Sequence, residues 1–135
     1  MKLVFKYRRE RARRRTVYRP VAKLSLRSAD GYWYTFIAYV DSGADVSLFT
    51  RGDAELLGVN LYEGELLELT GIGGAVVPAY LHGMRVKIGP LEFPARIAFA
   101  DLNGVPRIIG RLDIFNKFKI TFDERSLQTI FQTYD

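Results

Sequence analysis

The 135-residue sequence contains no cysteine and a single histidine, His82. Without cysteine there is no disulfide, no thiolate metal site and no cysteine nucleophile. A Ser-His-Asp triad would have to use His82, and no Gly-x-Ser-x-Gly turn is present to support one. We therefore interpret His82 as an ordinary strand or turn residue. We expect no metal and no cofactor, and the candidates for catalysis are carboxylates.

Long apolar segments are also missing. The longest runs, such as residues 36–40, are far shorter than the roughly 20 residues that a membrane-spanning helix needs. The first six residues are basic, with an apolar stretch too short for a signal peptide. Because cysteine is absent as well, we expect a cytoplasmic protein without a transmembrane segment.

The net charge of +5 is unevenly distributed. Residues 1–19 hold nine of the 20 basic residues and only one acidic residue, Glu10, so the remainder is slightly acidic. Runs of like charge repel one another and tend to be solvated. We therefore predict a flexible basic arm over residues 1–18 and a folded domain over 19–135. The arm could tether nucleic acid or an anionic surface, extend the chain as a solubilising or partly helical segment, or serve as a protease-sensitive pro-segment.

From residue 19 onward, short apolar segments alternate with Gly, Pro, Asn and Asp. This pattern predicts an all-β barrel or sandwich with one or two short helices. One helix is expected to start after Thr50 and to end at Gly58, and a second to span residues 111–118. The predicted strands are 21–26, 32–40, 46–49, 65–69, 75–80, 84–88, 91–100, 108–109, 120–122 and 127–131.

Asp41 stands at the end of an apolar and aromatic strand and is followed by Ser42 and Gly43. A carboxylate at the end of a buried strand costs free energy unless it is paired or functional. Glycine lets a substrate or a second chain approach closely, and the serine hydroxyl can hold such a contact. The tripeptide by itself fits a plain turn between two strands equally well.

Three segments in order resemble the retropepsin family of single-lobed aspartic proteases, over about residues 19–134. They are Tyr39-Val40-Asp41-Ser42-Gly43-Ala44-Asp45, Leu69-Thr70-Gly71-Ile72-Gly73-Gly74 and Arg107-Ile108-Ile109-Gly110-Arg111. They are similar to that family's catalytic loop, its glycine-rich flap, and the segment that leads into its one prominent helix. One Asp-Ser-Gly per chain fits a homodimer.

The resemblance implies a closed acid-protease β-barrel protomer and an aspartic endopeptidase that acts on a peptide or protein substrate. Asp41 would be the catalytic residue, one from each of two protomers. Ser42 would bond across the dimer where the family usually has threonine, and Arg111 would pair with Asp45. The remaining implied positions are Gly43 and Ala44 in the active-site loop, Gly71, Ile72, Gly73 and Gly74 in the flap, and Ile109 and Gly110 as structural support.

The other carboxylates are expected to be structural or solvated. Asp113 would lie in the first turn of the helix over 111–118, where a negative charge suits the helix dipole. A solvated face would hold Asp53, Glu55, Glu63, Glu65 and Glu68. An apolar cleft is suggested by Ile72, Val77, Ile97 and Ile108.

Two other functions stay open at this point. The same fold could serve as a non-proteolytic dimerisation or peptide-binding module, because function belongs to sites and not to folds. A small β-barrel could instead bind nucleic acid through its basic arm.

Overall fold

The computed structural model describes residues 1–134. Within them the chain forms twelve strands, one short α-helix, α1 (Arg51–Leu56), and one 3-10 turn, Leu61–Glu63. The strands are β1 (Lys2–Lys6), β2 (Arg8–Ala12), β3 (Arg15–Arg19), β4 (Val21–Arg27), β5 (Trp33–Val40), β6 (Ser47–Phe49), β7 (Glu65–Thr70), β8 (Val76–Ile88), β9 (Leu91–Ala100), β10 (Ile108–Ile109), β11 (Phe118–Asp123) and β12 (Gln128–Thr133).

Six of these strands close into a barrel. The order β4-β5-β10-β6-β9-β8 returns to its start because β4 also pairs with β8, and β7 extends the sheet beyond β8. Alternate side chains point inward, so that Leu24, Leu26, Val86 and Ile88 are almost completely buried. The predicted all-β class and the closed barrel are confirmed. The strands predicted at 75–80 and 84–88 are one continuous strand, β8.

The N-terminal residues differ from the predicted flexible arm. β1 pairs antiparallel with β12, and β12 pairs with β11, in a three-stranded sheet outside the barrel. Leu3 and Phe5 alternate with exposed residues and pack against the core, where the Phe5 ring meets Phe131 edge-on. The high density of charge concealed this alternation in the sequence.

Residues 8–19 form a separate two-stranded hairpin, β2–β3. The chain reverses at residues 13 and 14, where Arg13 has a positive φ of 55°. The predicted boundary after residue 18 falls inside β3.

Helix α1 begins as the sequence predicted. The Thr50 hydroxyl accepts a hydrogen bond from the Asp53 amide (3.0 Å), and the Asp53 carboxylate accepts one from the Thr50 amide (3.1 Å). This reciprocal arrangement satisfies two amides at the start of the helix. Gly58, with φ +68°, follows the end of the helix, where its amide donates to the Glu55 carbonyl (3.1 Å).

The helix predicted over 111–118 is wrong. Residues 112–117 form consecutive turns and lead directly into β11. Asp113 has φ +62°, which a right-handed helix does not allow. Its carboxylate instead accepts three hydrogen bonds from the backbone and guanidinium of Arg96 (2.8–3.0 Å), and these bonds lower the pKa of Asp113. The apolar spacing reflected burial, since Ile114 is fully buried.

Candidate active site

The short strand β10 lies between β5 and β6 and positions the loop that connects them. Ile108 and Ile109 run parallel to β5, opposite Tyr39 and Val40, while Ile108 also pairs antiparallel with Leu48 of β6. The loop 41–46 therefore leaves and re-enters the sheet on either side of β10. The Asp41 amide donates to the Ile109 carbonyl (3.0 Å), which fixes the backbone of Asp41 at the end of β5.

The chain that follows β10 holds the far side of this loop. The Arg111 amide donates to the Ala44 carbonyl and the Leu112 amide to the Asp45 carbonyl, both at 2.9 Å. The Arg111 guanidinium also forms a salt bridge with the Asp45 carboxylate, and both side chains are exposed. The pair between Asp45 and Arg111 that the resemblance implied is thus present within one chain.

Gly110 lies where the chain that follows β10 contacts the loop 41–46. Its amide donates to the hydroxyl of the fully buried Ser47 (2.9 Å). A Cβ at this position would overlap the Val46 carbonyl and would lie 3.0 Å from the Ala44 carbonyl oxygen. Only glycine allows the backbone to approach the loop this closely. Ile109, immediately before it, is fully buried in the core.

The Asp41 carboxylate itself is exposed. One oxygen accepts a hydrogen bond from the Gly43 amide (2.9 Å), and within residues 1–134 the other oxygen accepts none. Ser42 is also exposed, and its hydroxyl has no hydrogen-bond partner in the described part of the chain. The backbone of the loop is therefore fixed by hydrogen bonds, while the Asp41 carboxylate and the Ser42 hydroxyl can still bond to other molecules.

The glycine-rich segment forms the tip of the β7–β8 hairpin. Thr70 pairs with Val76, and the Gly71 amide donates to the Ala75 carbonyl (2.9 Å). Gly73 and Gly74 have φ of +86° and +80°, values that residues with side chains rarely adopt. Ile72 is fully exposed at this tip, so an apolar side chain projects from a turn whose backbone favours glycine.

A cleft of about 460 Å³ contains Asp41. One side of the cleft is formed at the ends of β5 and β10, by Tyr39, Val40, Pro106 and Ile108. The other side is formed by the N-terminal hairpin and the residue that follows it, with Glu10, Arg19 and Pro20. Of the apolar residues suggested for a cleft, Ile108 lies here. The prediction that Ile97 lines a cleft is wrong, because its side chain is fully buried in the core, where the residue pairs with Ser47 of β6.

The sequence did not predict that Glu10 and Arg19 would reach this cleft. The Tyr39 hydroxyl donates to Glu10 (2.7 Å) and accepts from Arg8 (2.8 Å). Glu10 also accepts from the Nε atoms of Arg8 (2.8 Å) and Arg19 (3.1 Å). The Tyr39 bond above all, and then the two guanidinium groups, lower the pKa of Glu10. The only signal in the sequence was the lone acid within the basic run.

Asp53 also differs from the prediction, since it is buried and not part of a solvated face. Its two oxygens accept hydrogen bonds from Nε and Nη2 of Arg107, each at 2.9 Å. Burial raises the pKa of Asp53, but the bonds from Arg107 and Thr50 outweigh burial and leave this pKa lowered. Arg107 directly precedes β10, so this pair anchors the entry to the strand that positions Asp41.

The remaining predicted structural residues are placed as expected. His82 lies in β8, half-buried, with Nε2 2.9 Å from the Leu61 carbonyl oxygen and its ring edge-on to Phe99. The other acidic residues of the predicted solvated face are exposed: Glu55, Glu63, Glu65 and Glu68.

The fold is similar to those of two solved protease structures. The chain superposes on a retropepsin-like aspartic protease from Rickettsia conorii with a TM-score of 0.64 and 17% identity, over 96% of this chain and 98% of that one. It also superposes on the EIAV protease complexed with the inhibitor HBY-793, with a TM-score of 0.54 and 24% identity, over 73% of this chain and 86% of that one. No family model and no curated protein matches the sequence.

The chain therefore has the retropepsin-like acid-protease fold, and it covers nearly the whole of the rickettsial structure. None of the helices in the described residues has the length and apolar character to cross a membrane.

Proposed function

We propose that this protein is an aspartic endopeptidase whose active site forms when two copies of the chain each contribute Asp41. One observation supports this above all. Asp41 is exposed, with one carboxylate oxygen unused within residues 1–134, on a loop that β10 fixes through its backbone. A carboxylate that served only a turn would not need Gly110, Ser47 and the pair between Asp45 and Arg111 to hold the loop around it.

The chemistry follows from two neighbouring carboxylates. At about 3 Å separation both cannot ionise without a large repulsion, so the pair shares one proton, as is established for aspartic proteases. The ionised member takes a proton from water, the resulting hydroxide attacks the scissile carbonyl carbon, and the protonated member donates to the carbonyl oxygen. Breakdown of this tetrahedral species breaks the C–N bond while the amine leaves with a proton. The peptide is the substrate, and the step requires no metal or cofactor.

The surrounding residues have supporting roles in this proposal. Ser42, with its free hydroxyl, bonds to the partner chain beneath the two carboxylates, and Gly43 and Ala44 present backbone groups to the peptide. Arg111 holds Asp45 in the loop. The hairpin tip, with Gly71, Ile72, Gly73 and Gly74, closes over the bound peptide and excludes water.

Cleavage of a diverse peptide mixture, read by mass spectrometry from about pH 3 to pH 7, tests the proposal over the range in which a shared-proton pair titrates. Wild type and Asp41→Asn are compared at equal concentration. We expect acid-favoured cleavage by the wild type and a loss of about a thousandfold or more in the variant. Equal cleavage by both proteins would contradict the assignment of Asp41.

A wild-type protein that dimerises but cleaves nothing across this range would favour the alternative, a non-proteolytic peptide-binding module. The cytoplasmic location inferred from composition stays a prediction, as does binding of the basic N-terminal residues to nucleic acid or an anionic surface.

A further inference from the structure

The N-terminal hairpin β2–β3 is the most basic part of the molecule. Residues 8–19 contain seven arginines and one acid, Glu10, whereas the rest of the sequence is close to neutral. The base of this hairpin, where β2 begins and β3 ends, borders the cleft that contains Asp41. The side of the cleft that it forms is built from Glu10, Arg19 and Pro20, with Arg8 just beyond the Tyr39 ring.

Glu10 is already occupied as a hydrogen-bond acceptor. One of its oxygens accepts from Arg8 and Tyr39, and the other accepts from Arg19. A basic side chain of a substrate would have to displace at least one of these partners. The carboxylate therefore positions Arg19 and the Tyr39 hydroxyl, and does not recognise cations.

Arg19 is only partly used. Its Nε bonds to Glu10, whereas its two Nη groups have no hydrogen-bond partner within residues 1–134, and the side chain is 48% exposed. A guanidinium held by Nε presents its outer face in a fixed orientation, which suits a carboxylate in a two-point contact. The two arginines outweigh the single Glu10, so this side of the cleft stays net positive.

We infer that Arg19, held in place by Glu10, is a specificity-determining residue that favours peptides with an aspartate or glutamate close to the scissile bond. This inference rests on the proposed proteolytic function. The other exposed arginines of the hairpin add a general attraction for acidic segments, which extends over a Debye length of about 10 Å at 0.1 M salt.

The test uses matched peptides. A sequence that the wild type cleaves is resynthesised with single Glu or Gln residues at each position flanking the scissile bond, and kcat/KM is measured for each pair. We expect one position at which the wild type prefers Glu over Gln about tenfold, equivalent to about 1.4 kcal/mol. Arg19→Gln is expected to bring the Glu/Gln ratio of kcat/KM at that position to about one, because the cleavage of the Glu peptide falls relative to that of its Gln partner. Arg19→Lys is expected to restore only part of it, because lysine lacks the two-point geometry.

Arg27→Gln is the matched control, because it removes the same charge at the far end of β4, and its Glu/Gln ratio should equal that of the wild type. A wild type that cleaves both members of every pair equally would overturn the inference while leaving the protease assignment intact. An equal loss for both peptides in Arg19→Gln would assign Arg19 to folding or assembly and would also overturn it. An Arg19→Gln variant with an unchanged Glu/Gln preference and weaker binding of single-stranded DNA would also overturn the inference. The charge of the hairpin would then be assigned to nucleic-acid binding. Absence of cleavage of any peptide would instead count against the proposed function.

Discussion

Asp41 and Asp53 show how the same side chain is used in two opposite ways on either side of β6. Asp53 is buried, with both oxygens occupied by Arg107 and the Thr50 amide. Asp41 is exposed, with one oxygen bonded to Gly43 and the other unused in the described residues. The buried carboxylate stabilises the fold, while the exposed one accepts a single hydrogen bond, from the Gly43 amide, within the described residues. We infer that stability and chemistry are divided between them, and the predictions below test that division.

The largest expected effect concerns activity alone. Asp41→Asn should abolish cleavage yet leave the free energy of unfolding within about 0.5 kcal/mol of wild type, because the residue is exposed. The asparagine side-chain oxygen can still accept the Gly43 amide. Urea unfolding followed by circular dichroism checks the stability. A loss of several kcal/mol would mean that Asp41 is structural, and the contrast with Asp53 would disappear.

Gly110→Ala should cause the largest loss of stability, about 3 kcal/mol, because the new Cβ overlaps the Val46 carbonyl and forces the loop 41–46 away from β10. Gly83→Ala is the control, since a Cβ at Gly83 in β8 meets nothing within 4 Å. Thermal unfolding of both variants measures the difference. Equal, small shifts for the two alanines would show that the loop is not closely packed against the strand.

Asp53→Asn should cost about 2 kcal/mol at pH 7, because it removes one of the two acceptors for Arg107 and leaves that guanidinium without its anionic partner. The pKa of Asp53 is lowered in the folded state, so the unfolded chain binds the proton first as the pH falls. The stabilisation is therefore complete above the ordinary carboxyl pKa of 3.8 and is lost as the pH falls through the lower folded value.

Urea unfolding of wild type and Asp53→Asn between pH 7 and pH 2 measures this dependence, and the gap between them should narrow below about pH 4. Glu55→Gln, an exposed carboxylate on the same helix, serves as the control and should track the wild type. A gap that stays constant down to pH 2 would contradict the ion-pair explanation.

The smallest effect is expected for the helix cap. Thr50→Ala removes the hydroxyl that accepts the Asp53 amide and should cost about 1 kcal/mol. Thr50→Ser keeps the hydroxyl and should lose far less. Denaturant unfolding of the pair separates the cap from the ion pair, and equal losses would attribute the effect to the threonine methyl group instead.

The sequence predicted the parts of the fold that depend on local patterns. The β4–β5 hairpin, α1 with its capping box, and the glycine tip of the β7–β8 hairpin all follow from periodicity or turn chemistry. The resemblance at three spaced segments also implied the pair between Asp45 and Arg111, which is present. The catalytic role of Asp41, implied by the same resemblance, stays a prediction.

The failures have a common physical origin in long-range contacts. Arg96 holds Asp113 in a left-handed conformation from 17 residues away, which prevents the predicted helix. The pairing of β1 with β12 spans almost the whole chain, so the N-terminal alternation had no local signal strong enough to outweigh its charge. The local sequence around Asp53 predicts a surface carboxylate, because nothing in it indicates that Arg107, 54 residues further along the chain, reaches it.

The most direct test of the central claim is to mix chains. Wild type and Asp41→Asn are unfolded together in urea at varied ratios and constant total concentration, refolded, and assayed on one peptide. If each active site needs Asp41 from two chains, activity should follow the square of the wild-type fraction, so that an equal mixture retains about a quarter of the activity. Wild type refolded with an inert protein controls for dilution. Activity that falls in direct proportion to the wild-type fraction would contradict a site shared between two chains.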